Sequence, residues 1–130
     1  MSSLPEIPTT RIGGPDSDTT ELAHQIVDLI SDRQGSDIVL MDLRDVSLLA
    51  DYFVLASADS RRQIRAIQDN VHEALHKGKI SPLRIEGTPE SGWVIMDYGP
   101  VVVHLFDPEA RAFYKLESLW KNAPVVLHIQ

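Results

Sequence analysis

The chain has 130 residues, no cysteine, and 19 acidic against 12 basic side chains, for a formal net charge of -7. That length supports one hydrophobic core without staples. The absent cysteine excludes disulfides, zinc-thiolate sites and thiol nucleophiles, and the acidic balance opposes unaided binding to a phosphate backbone.

The start, Met1-Ser-Ser-Leu-Pro5, lacks the basic and apolar regions of a signal peptide, and no apolar stretch reaches the ~18 residues of a membrane span, so a cytoplasmic protein is expected. Residues 1–17 hold Pro5, Pro8, Pro15, Gly13 and Gly14 without apolar periodicity and are expected to be a disordered tail. A domain is expected over 18–123, followed by a C-terminal extension over 124–130. Asp18-Thr-Thr-Glu21 fits a capping box, and Leu22, Ile26, Leu29 and Ile30 recur at helical spacing up to a stop at Gly35.

Ile38 to Leu43 and Tyr52 to Ser57 are β-branched or aromatic runs that predict strands across a polar turn, Arg44 to Asp51. A second helix is predicted from Ser60 to Lys77, capped by Ser60-x-x-Gln63 and stopped by Gly78, with Ile64, Ile67, Val71 and Leu75 on its apolar stripe. Leu83 to Glu86 is a weak strand. Gly99-Pro100 then joins Trp93–Tyr98 to Val101–Phe106, with Gly99 supplying the positive φ of a tight hairpin turn. Asp107-Pro108-Glu109 opens a third helix that carries Phe113 and Leu116 and continues to Trp120. Val125 to Ile129 reads equally as an edge strand or a frayed tail.

Between Asp37 and Ala123 the order and spacing of several segments resemble the Iojap and ribosomal silencing factor family. They are Asp51-Tyr-Phe-Val-Leu-Ala-Ser57, Ser60-Arg-Arg-Gln-Ile-Arg-Ala-Ile67, Glu86-Gly87, Gly92-Trp-Val-Ile-Met-Asp-Tyr-Gly99, Val101-Val-Val-His104 and Tyr114-x-Leu-Glu-x-Leu-Trp120. The resemblance implies an α/β domain with a mixed five-stranded sheet and flanking helices, related in fold to nucleotidyltransferases but without their catalysis or a cofactor. It also implies a protein that binds ribosomal protein L fourteen of the large ribosomal subunit and keeps the small subunit from joining. In that family the Trp-x-x-x-Asp-Tyr segment contributes to the partner surface, which assigns the role here to Trp93, Asp97 and Tyr98. Pro100 stands where relatives often carry an acidic residue. A homodimer is a further possibility under this resemblance.

With Gly99 and Pro100 as the two loop residues, strand alternation puts Val94, Met96, Tyr98, Val101, Val103 and Leu105 on one, core-facing side. Trp93, Ile95, Asp97, Val102, His104 and Phe106 fall on the other. This second side mixes aromatics with an acid and an imidazole, so Trp93, Asp97, His104 and Phe106 are expected in a partner-binding patch, with Tyr98 reaching it only from the hairpin's tip or edge. Pattern alone also admits a structural reading, with Trp93 in the core and Asp97 hydrogen-bonded to His104.

His72-Glu73-Ala-Leu-His76 matches the H-E-x-x-H of zinc hydrolases and is the alternative reading. With Ile64 at the origin and 100° per residue, however, His72 falls at about 80° and His76 at about 120°, away from the apolar stripe. Catalytic zinc needs a third protein ligand, for which only Glu86 is nearby, and Lys79 stands where the extended motif requires glycine. Nucleotidyl transfer needs adjacent carboxylates around a metal, whereas Asp42, Asp45, Asp51 and Asp97 lie on separate segments and Asp16-Ser-Asp18 is in the tail. Ser57-Ala-Asp-Ser60 lacks the glycines of a nucleophile elbow. Arg61, Arg62 and Arg65 read as a solvated helix face, with RNA contact at most secondary.

Overall fold

The protein is described here by a computed structural model over residues 15–130; residues 1–14 of the expected tail lie outside the described residues. Helix α1 is described over Pro15–Asp32, so the Asp18 capping box expected at its start falls inside the helix. Strands β1 (Ser36–Asp42) and β2 (Tyr52–Ser57) follow, then α2 (Arg61–Lys77). Ser60 caps α2 as expected, its hydroxyl accepting from the Gln63 N–H at 3.1 Å. The Gln63 amide donates to the Gln34 carbonyl at 2.8 Å, which ties the start of α2 to the end of α1.

Strands β3 (Arg84–Thr88), β4 (Trp93–Asp97) and β5 (Val101–Phe106) form an antiparallel meander, and a short 3-10 turn at Pro89–Ser91 links the first two. The third helix is not continuous. It breaks into α3 (Pro108–Tyr114) and α4 (Leu116–Leu119) at Lys115, which adopts a left-handed conformation at φ 49°. The break turns Leu116 inward to bury it, and it brings Glu117 against Arg111, whose Nε and Nη2 donate to one carboxylate oxygen at 3.0 and 2.7 Å. Arg111 is itself buried, and its third bond reaches the Ser57 hydroxyl at 3.0 Å, fastening α3 to the end of β2.

The sheet has six strands rather than five, in the order β3-β4-β5-β2-β1-β6. It is mixed: β2 and β5 run parallel, and all other neighbours are antiparallel. The sixth strand, β6 (Val125–Ile129), comes from the segment read as an extension. It pairs with β1 through Leu40 opposite Leu127 and Ile38 opposite Ile129, and both β6 side chains pack on the main core.

Helices α1 and α2 cover one face, where Ile26, Ile30, Ile64, Ile67 and Val71 meet Leu40, Val54, Val94, Met96 and Val103. The opposite face carries a smaller core, in which Leu116 and Trp120 meet Val39, Met41, Leu55 and Phe106. Because α3 and α4 are short, they cover only part of that second face.

Removing residues 124–130 uncovers one edge of β1 and deletes the Leu127 and Ile129 contacts. Chemical denaturation is expected to show the truncated chain destabilised by at least about 2 kcal/mol. An unchanged midpoint would make β6 dispensable to the fold.

Candidate functional site

The uncovered part of the second face is built on β3, β4 and β5, and its most constrained residue is Trp93. Gly92, just before it, has φ 83°, and a Cβ there would run into the Asp107 carboxylate. The Asp107 N–H bonds the Gly92 carbonyl at 2.9 Å, so the starts of β4 and α3 are locked together. On the β3 side Gly87, with φ 78°, lies so close that a Cβ would strike the Trp93 carbonyl. Glycine at both positions admits this close approach.

The Trp93 ring lies between Phe106, at 4.9 Å between centroids, and Tyr114, at 4.5 Å. Its indole Nε1 donates to His104 Nδ1 at 3.2 Å. An indole only donates, so His104 Nδ1 is the acceptor and the imidazole proton sits on Nε2. His104 is 5% exposed, close to the Phe53 ring at 4.7 Å, and its Nε2 has no hydrogen-bond partner among the described residues. Burial lowers the His104 pKa to about 4, so the ring is neutral at pH 7.

Beside this cluster opens a cavity of about 280 Å³ with Phe53, Ile95, Val102 and His104 among its lining. Leu49 and Ala50 line it from the β1–β2 loop, which is held against the hairpin by bonds from the Asp51 and Tyr52 N–H groups to the Pro100 carbonyl at 2.8 and 3.0 Å. Its charged groups are Arg84, Glu86 and Asp97. One Asp97 oxygen accepts from the Gly99 N–H at 2.8 Å, and the other lies 3.5 Å from Arg84. Leu49 is strongly exposed at the pocket's rim, as are Leu48, Phe113 and Leu119 elsewhere on the surface.

The register expected from the hairpin is the one observed: Trp93 pairs with Phe106, Ile95 with His104 and Asp97 with Val102, while the Tyr98 N–H bonds the Val101 carbonyl at 2.9 Å. Trp93, Asp97, His104 and Phe106 therefore share one face. Phe106 and His104 are buried and support Trp93 from behind. Tyr98 is removed from the candidate surface: alternation turns it into the main core, it is 7% exposed, and burial pushes its phenol up to about 12. No Asp97–His104 bond forms, since Asp97 turns to Gly99 and Arg84 while His104 turns to Trp93.

Leu49, Phe53 and Arg84 are not singled out by the sequence, while Glu86 enters there only as a candidate metal ligand and Tyr114 only as a core or self-association residue. The Leu48-Leu49 pair in the β1–β2 turn and the charges Arg84 and Glu86, alternating on a short strand, are the signals that could have pointed to three of them.

The rings of His72 and His76 stack at 6.0 Å on α2, and His76 Nδ1 lies 3.4 Å from the Ser81 hydroxyl. Among the described residues, no group of three His, Cys, Asp or Glu side chains is placed to hold a metal. Arg61 and Arg62 are exposed, and Arg65 pairs with Glu90 at 3.3 Å. No helix of the described residues is long and apolar enough to cross a membrane.

The family described as ribosomal silencing factor during starvation matches residues 16–130, nearly the whole chain. This chain belongs to that family. A ribosomal silencing factor of Halalkalibacterium halodurans is 35% identical over 106 residues, covering 82% of this chain and 91% of the relative. The chloroplastic protein Iojap of Arabidopsis thaliana is 33% identical over 110 residues, covering 83% of this chain and 45% of that protein. A crystal structure of a Chromobacterium violaceum protein superposes with a TM-score of 0.76 at 30% identity, covering 79% of this chain and 86% of that one. The family match runs through β6.

The neutral His104 links stability to pH. Its folded-state pKa of about 4 lies below the ordinary 6.5, so its contribution is fully present above pH 6.5 and is lost as pH falls through 4. Between pH 7 and pH 5 urea denaturation is expected to show a loss of about 2 kcal/mol from this group. His104→Asn keeps an acceptor near Trp93 but removes the titration, so it should flatten that part of the profile. An equally steep profile in the variant would assign the dependence to other groups.

Proposed function

We propose that the chain represses translation by docking on ribosomal protein L fourteen of the large ribosomal subunit, where its bulk keeps the small subunit from joining. The action is steric and non-enzymatic, takes place in the cytoplasm and needs no cofactor. One observation carries this reading: a family of ribosomal silencing factors matches nearly the whole chain, which presents a half-covered aromatic cluster beside a pocket with two carboxylates. Tryptophan is enriched at binding hot spots, and burying the exposed part of its ring on docking supplies the apolar centre of an interface.

Trp93 is the central contact, with Phe106, His104 and Tyr114 holding its ring in one orientation. Asp97, held in place by Gly99, meets a basic side chain of the partner. Leu49 borders the same pocket and adds apolar area at the rim. The formal charge of -7 suits a basic protein and speeds its encounter in a salt-dependent way. Tyr98 has no part in this contact.

A hydrolase on His72 and His76 draws no support from the geometry, because the pair has no third ligand among the described residues. The Arg61, Arg62 and Arg65 stretch lies on α2, at the start of the helix. Any RNA contact it makes is secondary to the protein contact.

Trp93→Ala is expected to weaken docking to purified large subunits by about 2 kcal/mol, roughly thirtyfold, with the circular dichroism spectrum retained. Sucrose-gradient cosedimentation across a concentration series measures this. The proposal fails if the parent chain migrates apart from isolated large subunits and an excess of it leaves subunit joining unchanged.

A further inference from the structure

The carboxylates of the pocket are already partly neutralised by the chain itself. Arg84 and Glu86 stand two residues apart on the edge strand β3, so both side chains fall on the pocket face, and Arg84 is paired across the strands with Asp97. The Arg84 Nε lies 3.4 Å from a Glu86 oxygen and 3.5 Å from an Asp97 oxygen. A well-made ion pair in the same molecule looks different: Arg44 donates to Asp42 through Nε at 3.0 Å and Nη2 at 2.8 Å and holds that carboxyl below its ordinary pKa.

The three charges also differ in freedom. Asp97 is anchored by the Gly99 N–H and its side chain is 21% exposed, whereas the Arg84 side chain is 67% exposed on β3, the strand that ends the sheet among the described residues. Two carboxylates against one guanidinium leave the pocket net acidic, and swinging Arg84 outward makes it more so. Exposed pairs at such distances are weak, so little opposes the exchange.

We propose that Arg84 is a built-in competitor for this pocket, shielding Glu86 and Asp97 in the free chain and giving way when a basic side chain of the docked partner takes its place. The inference rests on the basic-partner reading above and adds a selectivity device to it. A cation fixed on a complementary surface displaces Arg84, because the rest of the interface holds it in position. A stray soluble cation has no such support, and a neutral or acidic surface has nothing to exchange.

The test uses the full chain and two probes, a synthetic tetralysine peptide followed by chemical shifts and isolated large subunits followed by cosedimentation. Arg84→Gln is expected to bind tetralysine about threefold to tenfold more tightly at low salt, with a steeper salt dependence, since two weak pairs are released. Adding Asp97→Asn should abolish that gain. Equal or weaker peptide binding by Arg84→Gln overturns the inference, whatever the subunits do. Tighter peptide binding without any docking of the parent chain on large subunits upholds the exchange and defeats the docking proposal instead. Docking of the parent with no gain from Arg84→Gln on either probe does the reverse.

Discussion

A two-residue turn at Gly99 and Pro100 sets Trp93 opposite Phe106, Ile95 opposite His104 and Asp97 opposite Val102, and the candidate surface depends on that pairing. Side chains alternate along a strand, so a slip of one residue would send Trp93 and Asp97 into the helix-covered core and bring Val94 and Met96 out. Two features beyond the turn hold the register. The Asp51 and Tyr52 N–H groups bond the Pro100 carbonyl, and the Asp107 N–H bonds the Gly92 carbonyl at the far end of β4. The hairpin is thus clamped at both ends, by one element that precedes it and one that follows it.

Within this frame the Trp93–His104 bond orients the candidate surface. The indole N–H is satisfied and the ring is held against Phe106 and Tyr114 in one orientation. Holding an aromatic side chain still before a partner arrives lowers the entropy lost on binding. The same orientation needs a neutral imidazole, which burial of His104 provides at pH 7.

The features that could be read from residues alone were those set by local chemistry. Gly99-Pro100 announced a tight turn because glycine supplies a positive φ and proline a fixed negative one, and alternation then sorted Tyr98 from Trp93 without any tertiary knowledge. Ser60 and Asp107 were recognisable as helix caps because their hydroxyl or carboxylate reaches the N–H three residues on. Features set by distant partners were not readable. Arg111 is buried because Ser57 and Glu117 receive it, and nothing near residue 111 shows Ser57. Val125 to Ile129 is a strand because β1 has an open edge, while the same five residues in isolation look like a tail. Lys115 gave no sign of a left-handed conformation, which is uncommon for a residue with a Cβ and is held here by the burial of Leu116 and the Arg111–Glu117 pair.

The break at Lys115 marks where the covered part of this face ends. After it Leu116 and Trp120 join the second core, while Tyr114, the last residue before it, stays against Trp93. Beyond that boundary the sheet carries Ile95, Asp97 and Val102, all only partly buried, and the edge-strand charges Arg84 and Glu86. Charged side chains on an edge strand also discourage unwanted pairing with another sheet. One arginine therefore meets two requirements, protecting an exposed edge and occupying an acidic pocket, and both favour a side chain that is present but weakly held.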